Sequence, residues 1–297
     1  MTDTLQHKDW SGKTDGQPWM QRSLIAMFRV LPLWLLYGVM ALVVPFYMIF
    51  NRKGYKAMYS FFRERFGYGP LKSFCKVYAN HFRFGQIILD RFGVYAGKKY
   101  QFESEGQELM DELETHPEGF ITLSCHIGNY EIAGYFMQPK HKKFSAMVYA
   151  GETATVMENR QRFLAQNNIS LITVKEDLSH LFTVNSALDN GEIVSMPADR
   201  IFGSQKTMEC RFFGETARFP LGGFAMAVQK GVSVLAVFVM KEGMKKYHAY
   251  VRKIECDREA NKREQMSQLA QSYAEQLEDI VRRYPTQWFN YFDFWKQ

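Results

Sequence analysis

A segment of 21 residues without a charged side chain, Val30–Phe50, lies near the start of the chain. A helix of this length is about 30 Å long, which matches the hydrocarbon thickness of a bilayer. The segment is too long for the apolar part of a cleavable signal peptide, and no small-residue cleavage site follows it. We therefore predict a polar tail over residues 1–22, a membrane-anchoring helix over residues 23–52 and one globular body over residues 53–297.

The way in which this helix meets the membrane stays open. Pro32 and Pro45 weaken a straight span, so an interfacial helix and a buried core helix are alternatives to a full crossing. Basic residues flank the segment on both sides, and the larger cluster, Arg52, Lys53 and Lys56, follows it. This distribution favours a body on the cytoplasmic side of the membrane.

Composition excludes a disordered chain, since hydrophobic residues make up 46% and charged residues 23% of the sequence. The net charge of +6 fits an anionic membrane surface and also fits nucleic acid, so it does not choose a partner. The four cysteines lie far apart, at Cys75, Cys125, Cys210 and Cys256. Because no two of them form a CxxC pair, we predict reduced thiols and neither a zinc site nor a redox motif.

Hydrophobic spacing predicts the fold class. Between residues 55 and 92 the spacing is helical, with a break at Gly67–Pro70, and these two helices either rest on a membrane or face the core. After Gly97 short strands alternate with helices, which predicts an α/β fold with a mixed, mostly parallel sheet flanked by helices. The predicted strands are Phe120–Ser124, Phe144–Tyr149, Ser170–Val174, Glu192–Met196, Val232–Val239 and the more exposed Lys245–Ile254. The predicted helices are Val156–Gln166, Leu178–Asp189 and a C-terminal amphipathic helix that Pro285 ends.

The segment FITLSCHIGNYEIAGY, residues 120–135, carries the strongest sign of chemistry. It predicts a strand that ends near Cys125, a turn through His126 and Gly128, and a helix that begins near Asn129. His126 would then lie at the carboxyl edge of the sheet, where ligands bind in open α/β folds. A neutral imidazole there can take a proton from an alcohol while a carboxylate, Glu131, orients it.

The His-x4-Glu spacing is weak evidence alone, since seven histidines and 31 acidic residues in a chain of 297 give roughly 0.7 chance matches to His-x4-Asp/Glu. Competing chemistries are poorer. Cys125 is not expected to pair with His126, because neighbouring residues on an extended strand point to opposite faces. The sequence contains no GxSxG elbow, P-loop, GxGxxG or HExxH motif, and too few close ligands for a metal site.

Ser124–Glu131 resembles the His-x4-Asp/Glu block of the lysophospholipid acyltransferase superfamily. Its HxGNxE form is closer to the late, lauroyl- or myristoyl-type acyltransferases of lipid A biosynthesis than to the glycerolipid enzymes, which usually carry Asp at the last position. Further segments resemble later blocks of that family in the expected order: Glu192–Arg200, Phe212–Pro220, Gly231–Val237 and Tyr284–Phe289. The likeness covers nearly the whole chain, including the anchor. The third block departs from the Pro-Glu-Gly-Thr order of the glycerol-phosphate enzymes, which weighs against glycerol 3-phosphate as the acceptor.

The resemblance implies transfer of a fatty acyl group from an acyl carrier protein or acyl-CoA thioester to a hydroxyl of a lipid acceptor similar to a lipid A precursor. The reaction would occur at the cell inner (cytoplasmic) membrane, with the catalytic domain on the cytoplasmic side. His126 would be the general base and Glu131 its orienting carboxylate, without an acyl-enzyme. The residues that would bind substrate are Gly128, Asn129, Asp199, Arg200 and Arg218. The resemblance implies no metal, no organic cofactor beyond the thioester donor and no nucleic-acid partner.

Two other functions stay open. A lipid or thioester hydrolase would use the same histidine to activate water, and it would release free fatty acid without an acceptor. A non-catalytic membrane protein would bind lipid or nucleic acid through its basic and aromatic helices, and it would not depend on His126.

Overall fold

The structure is a computed structural model that describes residues 18–136, 139–149, 168–175, 177, 179–201 and 206–297. Within these ranges, helices surround one large sheet. The helix predicted over Val156–Gln166 lies outside the described residues.

Two helices occupy the region expected to hold one anchor: α1, Pro18–Val30, and α2, Leu33–Phe50. Pro32 separates them, because proline lacks the backbone N–H and restricts the residue before it. Pro45 lies inside α2 without ending it. Among the described residues, α2 is the one helix long and apolar enough to cross a membrane, with 18 residues and a mean hydropathy of 2.1.

The α2 helix packs against the body along its whole length. Its buried side chains recur at helical spacing: Leu33, Leu36, Tyr37, Val44 and Met48. Its opposite face exposes large apolar side chains: Trp34, Val39, Leu42, Val43, Phe46, Ile49 and Phe50. An exposed apolar face of this extent is unfavourable in water, which indicates that lipid or protein covers it.

Helices α3, Arg52–Glu64, and α4, Pro70–Tyr95, are the pair that the sequence spacing predicts. Asn51 caps α3, since its side chain accepts a hydrogen bond from the N–H of Gly54 at 3.2 Å. Pro70 occupies the first turn of α4, where its missing N–H costs nothing. Both helices direct a face into the core, through residues that include Met58, Phe61, Phe62, Val77 and Leu89.

Nine strands follow in the described chain: β1 (Gln101–Glu105), β2 (Phe120–Ser124), β3 (Phe144–Tyr149), β4 (Ile169–Val174), β5 (Ile193–Pro197), β6 (Thr207–Phe212), β7 (Glu215–Pro220), β8 (Val234–Lys241) and β9 (Lys246–Ile254). Seven of them form one sheet in the order β1-β9-β8-β2-β5-β3-β4. All neighbours in it are parallel except the antiparallel pair β8–β9. The prediction of a mixed, mostly parallel sheet is therefore confirmed, and the six predicted strands are present with ends shifted by two residues or fewer.

Helices cover both faces of this sheet: α5 (Gln107–Thr115), α6 (Tyr130–Phe136), α7 (His180–Asp189), α8 (Gly222–Lys230) and α9 (Lys262–Arg283). A short 3₁₀ helix, Phe294–Lys296, follows near the C-terminus. Among the strands, β1 and the separate antiparallel hairpin β6–β7 were not predicted.

The core lies on both sides of the central strands, as expected for a parallel sheet buried on two faces. Successive residues of β8 alternate between the sides, so that Leu235 and Val239 pack with α2, α4 and α5. On the other side, Ala236 and Phe238 pack with α9 and the C-terminal segment. The carboxyl ends of β2 and β5, which pair in parallel, lie side by side in this buried layer.

Candidate active site

The pairing of two parallel strands brings His126 beside Asp199. In the register of β2 and β5, Ser124 lies opposite Pro197, so the residues that follow the two strands meet at the same edge of the sheet. The N–H of Ala198 donates to the carbonyl of Ser124 at 2.9 Å, which extends the pairing beyond the strand ends.

His126 is bound to the Asp199 carboxylate at two points. The ring nitrogen Nδ1 lies 2.9 Å from Oδ1, and the backbone N–H donates to Oδ2 at 2.8 Å. Because Oδ1 can only accept, Nδ1 carries the proton and the second ring nitrogen, Nε2, presents its lone pair. The His126 side chain is 27% exposed and the Asp199 side chain 1% exposed, so the pair opens to solvent only through the imidazole.

The charge of Asp199 is stabilised by its neighbours. Burial opposes its ionisation, but the charge and hydrogen bonds of His126 and the charge of Arg200 outweigh burial and bring its pKa below the usual range. An ionised, buried carboxylate at Nδ1 fixes the ring and stabilises an imidazolium when Nε2 takes a proton.

Gly128 allows the turn that carries His126. Its φ of +56° lies in the left-handed region, which favours glycine. A Cβ at this position would lie 2.0 Å from the carbonyl oxygen of Val239, so the backbones of the turn and of β8 are in direct contact. The N–H groups of Gly128 and Asn129 donate to the carbonyls of Gln287 and Val239, at 2.8 and 2.7 Å.

Glu131, the carboxylate expected to orient His126, points elsewhere. Its carboxylate lies 3.3 Å from the guanidinium of Arg91 and accepts a hydrogen bond from the Tyr95 hydroxyl at 3.0 Å. The first turn of α6 directs this side chain toward α4, away from Nδ1, and Asp199 holds the orienting position. His126 and Glu131 nevertheless line the same cleft.

This cleft, of about 1090 Å³, opens beside His126. It is bounded by α3, α4, the His126 turn and the C-terminal segment that pairs with that turn. One part of its lining is aromatic: Phe61, Phe84, Trp288, Phe289, Tyr291, Phe292, Phe294 and Trp295. Cationic side chains also line it: Lys53, Lys56, Arg65, Arg91, Arg200 and Lys296. Acidic side chains line it too, and three of them, Glu131, Glu215 and Asp293, are ion-paired with lining cations. A long apolar chain finds a complementary aromatic surface in such a cleft, and charged groups lie beside it.

A model of the bacterial lipid A biosynthesis acyltransferases matches residues 91–297, which include the His126 turn, Asp199 and the C-terminal segment. The chain belongs to this family. Among solved structures, a 1-acyl-sn-glycerophosphate acyltransferase from Thermotoga maritima is similar at 13% identity, with a TM-score of 0.39, over 86% of this chain and 99% of that one. Comparison with curated proteins gives no match. The protein is thus an acyltransferase of the lipid A type, as the sequence resemblance implies.

The other predicted site residues of the acyltransferase do not all line the cleft. Arg200 lines the cleft, and its guanidinium donates to the carbonyl of Phe289 at 2.8 Å. Gly128 and Asn129 also line the cleft, but the Asn129 side chain is buried, and its amide forms hydrogen bonds with the N–H of Ile132 and the hydroxyl of Tyr247. Arg218 lies exposed on β7, and it is not among the described residues that line the cleft.

Cys125 lies buried away from the cleft of the acyltransferase. Its side chain is 2% exposed, and it is not among the described residues that line the cleft. Burial raises the pKa of the thiol well above its usual range, and the Asp199 charge raises it further. The expectation that Cys125 and His126 form no dyad agrees with this geometry.

Two groups of residues at the cleft or directly behind it were not predicted to have a function. Arg91 and Tyr95 lie four residues apart on α4, so they share one face of the helix and together hold Glu131. The C-terminal segment 288–296 gives the cleft most of its aromatic lining, and the N–H of Phe289 donates to the carbonyl of His126 at 2.9 Å. The resemblance at Tyr284–Phe289 pointed to this segment but gave it no role.

Proposed function

We propose that the acyltransferase moves a fatty acyl group from an acyl carrier protein or acyl-CoA thioester to a hydroxyl of a membrane lipid similar to a lipid A precursor. The observation that carries this proposal is the His126–Asp199 pair, which presents Nε2 at the wall of a cleft lined by aromatic and cationic side chains. Nε2 acts as the general base, and no acyl-enzyme forms.

The reaction follows from the position of the proton on His126. Nε2 takes the proton of the acceptor hydroxyl while the hydroxyl oxygen attacks the thioester carbonyl carbon. The C–O bond forms, the carbonyl electrons move onto oxygen, and Asp199 stabilises the imidazolium. When the intermediate collapses, the C–S bond breaks and the sulfur takes the proton from Nε2. The products are an ester and a free thiol, and His126 returns to its starting state.

The Glu131–Arg91 pair has a separate role in this proposal. It lies at the cleft, and its side chains are 11% and 16% exposed. A carboxylate beside a guanidinium offers an acceptor to substrate hydroxyls and a donor to substrate anions. We infer that the pair holds the acceptor so that its reacting hydroxyl faces Nε2, while the aromatic side chains accommodate the acyl chain.

We further propose that α2 lies along one membrane leaflet and does not cross the bilayer. The helix packs on the body along its length, so a crossing would draw α3 and α4 into the hydrocarbon. That would bury the exposed Arg52, Lys53 and Lys72, which is costly. An apolar face in lipid with basic residues at the headgroup level is the arrangement of an interfacial helix. The cleft would then open near the headgroups of the acceptor lipid, on the cytoplasmic side of the inner membrane.

The test uses the full chain in vesicles that contain a panel of hydroxylated lipid acceptors. Labelled acyl-carrier-protein thioester is supplied in one arm and acyl-CoA in another, and products are identified by mass spectrometry. His126→Ala and Asp199→Asn are compared with His116→Ala, a matched control at an exposed histidine. The proposal expects acyl transfer to one acceptor class, lost in the first two variants and retained in the control.

The other outcomes are distinct. Release of free fatty acid without an acylated acceptor would replace transfer with hydrolysis by the same histidine. Full activity of His126→Ala would overturn the assignment of the base.

A further inference from the structure

A buried ion pair lies behind the catalytic turn, outside the cleft. Nζ of Lys241, at the end of β8, is 2.6 Å from Oδ2 of Asp90 on α4, and both side chains are 0% exposed. Nζ also donates to the carbonyl of Met244 at 2.9 Å. A buried ion pair usually stabilises a fold no more than apolar residues of the same volume would. Stability alone therefore does not explain why this pair is present.

Three tyrosine hydroxyls converge on the same carboxylate. Tyr100 donates to Oδ1 of Asp90 at 3.1 Å, and Tyr37 of α2 donates to the same oxygen. Tyr247 of β9 donates to Oδ2. The Asp90 carboxylate therefore accepts hydrogen bonds from α2, from the residue that precedes β1 and from β9 of the sheet.

One of these hydroxyls, that of Tyr247, also forms a hydrogen bond with the turn that carries His126. The Tyr247 oxygen accepts a hydrogen bond from Nδ2 of Asn129 at 3.2 Å. Oδ1 of Asn129 in turn accepts from the N–H of Ile132 at 3.2 Å, which caps the start of α6. Asn129 lies three residues after His126 and two before Glu131.

The donor and acceptor of each hydrogen bond between Asp90 and Ile132 follow from the Asp90 carboxylate. Asp90 can only accept from Tyr247, so the Tyr247 oxygen is left to accept from Asn129. Only the nitrogen of the Asn129 amide can donate, so its oxygen must face Ile132. Burial raises the pKa of the Tyr247 hydroxyl well above its usual range, as does the charge of Asp90, which keeps the hydroxyl protonated as this chain requires.

We propose that Tyr247 is a positioning residue of the acyl-transfer reaction. Oriented by Asp90, its hydroxyl fixes the amide of Asn129, and the amide fixes the turn and the helix start that carry His126 and Glu131. Without the hydroxyl, the amide loses its preferred orientation and the α6 cap weakens, so His126 departs from its reactive position more often. The inference rests on the proposed function for its kinetic consequence but not for its structural one.

The test compares Tyr247→Phe with Tyr100→Phe in the full chain. Each variant removes one buried hydroxyl from Asp90 and keeps the ring, but only the first breaks the connection to Asn129. We expect Tyr247→Phe to lower kcat about tenfold with KM nearly unchanged, as for a small misplacement of a catalytic group. Tyr100→Phe is expected to lose a similar amount of thermal stability and to keep kcat within about twofold.

Amide hydrogen exchange gives a readout that does not need activity. Exchange over residues 126–136 is expected to quicken in Tyr247→Phe and to match the parent protein in Tyr100→Phe. Equal effects of the two variants on kcat and on exchange would show a merely structural role and overturn the inference. If the parent protein transfers no acyl group, the proposed function fails, and the exchange comparison still decides this inference.

Discussion

Nδ1 of His126 lies 2.9 Å from Oδ1 of Asp199, although the two residues are 73 positions apart in the chain. The contact follows from the parallel pairing of β2 with β5, which aligns the carboxyl ends of the two strands. The same carboxylate also accepts the backbone N–H of His126, so it fixes both the ring and the turn. A base held in this way is already oriented before substrate binds.

Replacing Asp199 with asparagine is expected to lower kcat by about 100-fold or more, because a neutral amide neither fixes the His126 tautomer nor stabilises the imidazolium. The measurement is steady-state acyl transfer with the acceptor that the parent protein uses. Asp189→Asn serves as the control, since Asp189 is ion-paired with Lys230 and exposed at the end of α7. A parent-like rate in Asp199→Asn would contradict the role of this carboxylate.

Stability should depend on pH through the same residue. The pKa of Asp199 is lower in the folded protein than its ordinary value of about 3.9, so the folded state binds this proton less readily than the unfolded chain. Its contribution is therefore complete above that value and is lost as the pH falls through the folded pKa. Unfolding of the parent protein and of Asp199→Asn should differ most near neutral pH and converge in acid. A difference that stays constant with pH would contradict this linkage.

Much of the fold could be predicted because it depends on local patterns. Five of the six predicted strands are apolar or β-branched runs, and α9 carries an apolar stripe that a proline follows. Strand β1, with the sequence QFESE, has four polar residues of five, and it becomes a strand through pairing with β9. Such pairing depends on tertiary structure, so the local strand propensity of the sequence does not predict it.

The candidate site was predictable only in part. His126 was found because the strand, the turn glycine and the helix start around it are local features. The partner of its ring was assigned to Glu131 on sequence spacing, whereas the structure places Asp199 there through strand register. Arg218 was proposed from its block, but it lies exposed on the β6–β7 hairpin and is not among the described residues that line the cleft. When residues are brought together only by strand pairing, their spacing in the sequence does not reveal the contact.

Replacing Gly128 with alanine should destabilise the protein strongly. The positive φ costs about 1–2 kcal/mol for any L side chain, and the contact with the Val239 carbonyl adds an overpacking cost of about 1–3 kcal/mol. Gly67→Ala is the matched control, since its φ is +64° and nothing lies within 4 Å of the added Cβ. Thermal unfolding of both variants measures the difference. Equal losses of stability in the two variants would show that the turn accommodates the added Cβ beside the Val239 carbonyl without a further loss of stability.

Replacing Cys125 with alanine should leave acyl transfer nearly intact, because the proposed reaction forms no acyl-cysteine and the thiol is buried away from the cleft. A loss of stability of about 1 kcal/mol is expected from the small cavity. In the parent protein, iodoacetamide should label the exposed Cys75 and spare Cys125 until the chain unfolds. A large fall in kcat without a change in stability would instead implicate the thiol in the chemistry.

Polar substitutions on the outward face of α2 should weaken membrane binding. Leu42 and Phe46 are 73% and 64% exposed, and they would enter the hydrocarbon if α2 lies in one leaflet. Each replacement by glutamine removes about 2 kcal/mol of apolar burial, so the double variant should shift from vesicles to the soluble fraction in flotation assays. Phe182→Gln is the control, because Phe182 is 81% exposed on α7, away from the anchor. Unchanged flotation of the double variant would mean that α2 does not supply the membrane contact.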